Sequence, residues 1–197
     1  MTAPFDYPTA PPVRRHGPLG YTDYESYRTW LRDEFAFRCV YCLLRERWVP
    51  GGFDLDHFRP IAIHPEKATD YDNLLYCCST CNSAKRQQII PDPIQHFSGE
   101  SVIVNGDGLL IASTTEAKFI IEQLGLNRKR YQEFRQVWLK IVEILTSHPT
   151  AVSEVLRYPS DLPDLSTLRP PGGNRKPEGI EQSFHRRRER GELPDTY

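Results

Sequence analysis

The sequence predicts an α+β fold, with short strands and helices mixed along the chain, on three observations. Strand-like runs such as FDLD and the two flanking NGDG in SVIVNGDGLLIAS sit beside glycine-bearing turns. Segments near residues 22–35, 117–124 and 128–146 repeat apolar residues at helical spacing. Four of the five cysteines form two C-x-x-C pairs, a pattern that can tie a small core around a metal ion.

With 197 residues and 39% hydrophobic content, the chain suits one domain with appendages, and its 17 prolines argue that part of it is unpacked. No run of about 18 apolar residues occurs, and MTAPFDYPTAPPVRR lacks the apolar stretch of a secretory leader. A soluble, cytoplasmic protein with no membrane partner is the expectation. The net charge of −1 rules out a polycation, so any binding to nucleic acid falls to local patches.

In chain order, residues 1–20 hold scattered prolines and no apolar period, which reads as a flexible Pro-rich arm. Thr22 to Glu25 has the form of a capping box, and Tyr24, Tyr27, Trp30, Leu31 and Phe35 form the core face of a first helix. Arg47 to Val49 and Phe53 to Asp56 around Gly51-Gly52 predict a β-hairpin that puts His57 at the end of its second strand. Ser79 can cap a helix carrying Asn82, Lys85 and Arg86. A second hairpin turns at Asn105 to Gly108, and two helices, 117–124 and 128–146, break at Gly125-Leu126-Asn127. Four regions are expected: the arm at 1–20, a core at 21–95, a hairpin and two-helix accessory region at 96–148, and a loosely structured tail with a basic patch at 149–197.

Cys39, Cys42, Cys78 and Cys81 supply the four thiolates that close a tetrahedral structural Zn²⁺ site. A redox role would need a C-x-x-C at a helix start within a thioredoxin-like βαβ frame, and neither pair has that setting. The metal would join two knuckles across a long insert, and that insert holds Asp56 and His57. Asp is disfavoured in strands, because its side chain competes with the ladder for backbone hydrogen bonds, so an Asp-His pair there asks for a purpose. Asp54 lies on the strand face of Asp56, and its role is open between a supporting contact and none.

With Asp56-His57, Asn73 and Asn82-x-x-Lys85 in order inside a C-x-x-C frame, residues 38–88 resemble the HNH endonuclease family, whose core is a ββα-metal finger. The resemblance implies His57 as the general base that takes a proton from the attacking water, and Asp56 and Asn82 as ligands of a divalent cation. Many family members have His at the last position, so Asn there implies Mg²⁺ or Mn²⁺. Asn73 would orient the loop that carries the histidine. Arg59, Lys85 and Arg86 are candidates for backbone phosphates, with solvated charge as the plain alternative.

DNA is the implied substrate, with RNA left open, and one site per chain implies nicking unless two chains pair as a homodimer. Further basic runs, Arg128 to Arg130 and HRRRER at 185–190, could hold nucleic acid or be merely solvated. Family context suggests restriction, anti-phage defence or mobile-element roles, and no residue selects among them. Two rivals stand beside the nuclease: a zinc-stabilised nucleic-acid-binding module that does not cut, and an interaction subunit whose arm and tail dock a larger partner such as an ATPase.

Overall fold

The computed structural model describes residues 4–8 and 13–197. It is α+β, with two small antiparallel sheets among helices. A 3-10 turn at Tyr24–Tyr27 leads into α1 (Arg28–Glu34). Asp23 rather than Thr22 caps this entry, accepting from the Ser26 amide. β1 (Asp54–His57) pairs with β2 (Leu74–Cys77), and α2 (Ser79–Lys85) follows at once. Then come α3 (Pro93–His96), β3 (Val102–Val104), β4 (Leu110–Ala112), α4 (Thr115–Gln123), α5 (Lys129–Leu145), α6 (Pro149–Leu156), α7 (Glu178–Glu181) and α8 (Phe184–Glu189). Among the described residues no helix is long and apolar enough to cross a membrane.

The hairpin expected over residues 47–56 does not form. Glu46–Trp48 is a 3-10 turn, and the partner of β1 is β2, in register Asp54 with Cys77 through His57 with Leu74. The reason lies in burial: Leu74 to Cys77 are all buried, so this strand offers a continuous apolar surface that Glu46-Arg47-Trp48, with two charged residues, cannot. The second hairpin turns where expected. Asn105 accepts from the Asp107 and Leu109 amides and closes the link between β3 and β4.

The break between α4 and α5 also falls at 125–127, where Gly125 takes φ 59° to end the helix and Asn127 bridges both backbone groups of Leu110 at 2.9 Å. The apolar stripe expected to make α5 a core helix is only partly covered. Trp138 stacks on Trp48 with ring centroids 4.0 Å apart, but Val137 is 55% exposed and Ile144 is 71% exposed. Arg135, the helix's one buried residue among those described, is spent on the carbonyls of Gly108 and Leu126.

Both ends of the chain are corrected by packing. Within the expected arm, Phe5 and Tyr7 are core residues and His16 is fully buried; the part of that expectation covering residues 1–3 and 9–12 lies outside the described residues. The tail contributes Tyr158, Leu162, Phe184 and Tyr197 to a second apolar cluster around Phe37. A buried polar clasp holds the two ends together: Asp33 receives His16 Nε2 at 2.7 Å and the Phe184 amide at 2.8 Å. Gly17 to Leu19 runs beside residues 172–175 through backbone hydrogen bonds. Proline count misleads here because proline removes a donor without preventing burial of its neighbours.

Candidate metal centre and active site

The knuckles form first from local backbone. The Leu43 amide donates to the Cys39 carbonyl and the Cys39 amide to that of Leu44, while Val40 donates to the Tyr76 carbonyl of β2. Cys78 ends β2's run and is the N-cap of α2, and Cys81 lies in that helix's first turn. All four sulfur atoms lie within 4.8 Å of one another and are buried. The Cys42 and Cys78 sulfurs are 3.8 Å apart. A tetrahedral Zn²⁺ with bonds of about 2.3 Å needs a sulfur-to-sulfur edge of about 3.8 Å, so the cluster fits the ion. Burial pushes the Cys39 thiol up, and metal coordination is what would hold such a group as thiolate. The fifth cysteine, Cys77, is buried in β2 outside the cluster, and burial pushes its thiol up too.

Because side chains alternate along a strand, β1 directs Asp54 and Asp56 to one face. Asp56 is 3% exposed. Its Oδ1 accepts from Lys85 Nζ at 2.9 Å and its Oδ2 from the Tyr41 hydroxyl at 2.6 Å. Burial, and next the Asp56 charge, keep the Tyr41 phenol protonated well above its usual range, so it is the donor. Lys85 also donates to the His57 carbonyl at 2.8 Å. This corrects its expected phosphate role: the side chain is fully buried and already ion-paired, because α2 turns that face onto β1.

His57 Nε2 lies 2.9 Å from the Ala68 carbonyl oxygen. A carbonyl only accepts, so Nε2 carries the proton and Nδ1 is left as the ring's acceptor. The Tyr24 ring meets the imidazole edge-on at 4.8 Å. Asn73 is buried and pins the loop that follows His57: Oδ1 accepts from the Arg59 amide at 2.7 Å, and Nδ2 donates to the Arg59 carbonyl at 3.0 Å. Asn82 Nδ2 donates to Asp54 Oδ2 at 3.0 Å.

Asp56, His57 and Asn82 line one open cleft of about 240 Å³ together with Tyr24 and Arg86. Arg86 is exposed there, on a backbone at φ 52° and ψ −125°. Arg59 rests its guanidinium on the Phe58 ring at 4.7 Å. The cleft's oxygen donors suit a hard divalent cation. A carboxylate has about four lone-pair sites, so the two donors on Asp56 leave room for one.

The basic run at 185–190 is not a free patch. Arg186 pairs with Glu189 at 2.6 Å, Arg190 with Glu192 at 2.7 Å, and Arg188 donates to the Pro159 carbonyl. Arg128 to Arg130 sit at the start of α5, where Lys129 pairs with Glu133 at 3.8 Å.

Sequence reasoning missed two neighbours of the site. Tyr41 stands between the cysteines of the first knuckle, where an aromatic inside C-x-x-C was the available sign. Tyr24, which its spacing puts on the core face of the first helix, lies against the His57 ring. Residues 39–88 match the HNH endonuclease family. No curated protein matches the chain.

Proposed function

From a chain that carries an HNH endonuclease domain over residues 39–88, we propose a metal-dependent endonuclease that hydrolyses phosphodiester bonds of DNA. One observation carries the assignment of roles. The Ala68 carbonyl accepts a hydrogen bond from His57 Nε2, which supports Nδ1 as the ring nitrogen that would act as base, and His57 lines the same cleft as Asp56 and Asn82. Nδ1 would accept the proton of the attacking water, a task for the ring nitrogen that is not already donating a hydrogen bond. Asn73 would hold the following loop so that the ring keeps this orientation, and Tyr24 would limit its rotation.

Asp56 and Asn82 would hold Mg²⁺ or Mn²⁺. When bound, the cation neutralises charge that builds up on the phosphate and the leaving oxygen. Arg86 and Arg59 would meet backbone phosphates, contacts that carry no base information. A single cleft of this kind among the described residues would suit nicking of one strand, and the four-cysteine cluster would hold zinc as a structural clamp. Residues 21–95 would be the catalytic core and 96–148 an accessory unit.

A second reading, a binding module that does not cut, has one observation in its favour: both Asp56 oxygens already have protein donors. Supercoiled plasmid separates the two. The nuclease reading expects relaxation that needs Mg²⁺ or Mn²⁺ and falls by at least about a hundredfold in His57→Ala, the scale of lost general-base catalysis. Folded, zinc-loaded protein that binds plasmid and never nicks it would favour the module.

A further inference from the structure

An asparagine can offer a cation only its carbonyl oxygen, since its amide nitrogen carries two donors and no lone pair. Which end of the Asn82 side chain is presented is decided by what the other end bonds. Asp54 Oδ2 takes Nδ2 of Asn82 at 3.0 Å, and Asp54 Oδ1 takes the Ser79 hydroxyl at 3.2 Å. Ser79 and Asn82 are neighbours at i and i+3 on α2, so a single carboxylate from β1 grips both. Both oxygens of Asp54 act as acceptors here, so the nitrogen end of Asn82 is the one that faces it. The carbonyl end is then the one left for the cleft.

We propose that Asp54 is a positioning residue that fixes the amide of Asn82 with its oxygen toward the cation site, and that it is not itself a ligand. The inference rests on the metal-dependent reading of the cleft. It accounts for two carboxylates on one strand face with different duties: Asp56 lines the cleft, whereas Asp54 does not.

The test is Mn²⁺ binding to the full-length, zinc-loaded chain, followed by the loss of the free-ion electron paramagnetic resonance signal. Asp54→Asn and Asp54→Ala both lack the charge, so their difference reports the hydrogen bonds to Asn82 and Ser79, and the Asn82→Ala background separates the two. Asp54→Ala is expected to bind Mn²⁺ roughly tenfold more weakly than Asp54→Asn, the usual cost of removing a group that orients a metal ligand. The gap is expected to close in an Asn82→Ala background, because a residue acting through Asn82 has nothing left to act on.

Equal affinities for the two variants, or a gap that persists without Asn82, would overturn the proposal. If Asp54→Ala does not melt cooperatively, the near-isosteric Asp54→Leu takes its place. Wild-type protein that binds no Mn²⁺, or binds it as tightly after Asn82→Ala, would instead overturn the reading of the cleft itself, and this inference with it.

Discussion

Lys85 and Asp56 meet at 2.9 Å with both side chains shut off from water. The pair joins α2 to β1 beneath the cleft, so the helix that carries Asn82 is held by the same carboxylate that lines the site. Removing one member of such a pair leaves a buried charge without compensation, which costs about 3–5 kcal/mol. Lys85→Met should therefore lower unfolding free energy by at least about 3 kcal/mol in a urea titration. A loss near zero would mean that the pair is hydrated in solution.

Stripping metal from the zinc-loaded form proposed for the cysteine cluster should be severe in a different way. The two knuckles come from distant segments, and four buried sulfurs form the junction between them. Metal binding at such a site is folding free energy, because the unfolded chain has no preformed site. Full chelation is expected to abolish the cooperative calorimetric transition, whereas an unchanged melt would assign the cluster no structural duty.

Arg86 combines a strained backbone, φ 52° and ψ −125°, with an exposed side chain at the cleft. Strain of this kind costs about 1–3 kcal/mol, and glycine adopts the conformation freely. Arg86→Gly should raise stability by about 1 kcal/mol while weakening DNA binding, with the slope of log affinity against log salt reduced by about one. A stabilised variant with an unaltered salt slope would remove Arg86 from the phosphate contacts.

Gly179 lies where the chain's two ends cross. A Cβ there would fall 1.9 Å from the Arg15 carbonyl oxygen, a backbone atom that cannot move aside cheaply. Gly179→Ala should cost about 1–3 kcal/mol, the range for overpacking, measured as a fall in the denaturation midpoint. An unshifted midpoint would show that the crossing is loose.

How much could be read beforehand depended on how local each cause was. The turn at Asn105, the glycine break before α5 and the four clustered cysteines all follow from residues close in sequence or from a strict spacing. The partner of β1 was not local: its neighbour had the turn glycines, but the strand with the buried face lay further on. Lys85 reads in the sequence as a phosphate candidate on a polar helix face, and only the fold reveals the β1 carboxylate beneath it. The ends failed for a related reason. Composition describes what a segment could do alone, and Phe5, His16 and Phe184 are buried only by partners far along the chain. Tyr41 shows the remaining gap, since no pattern states where a phenol between two clustered cysteines will point.

The clasp at Asp33 also orders events during synthesis. His16 and Asp33 leave the ribosome early, together with the segment that will form α1, but the amide that completes the carboxylate's set belongs to Phe184, 151 positions further on. Until then a charged group meant for the interior lacks one of its donors, and Phe37 lacks the aromatic neighbours that cover it. Residues 39–88 are thus translated well before the surroundings that enclose them. A nascent chain halted before Phe184 would leave this side of α1 unfinished, so its enclosure waits until residue 184 has been made.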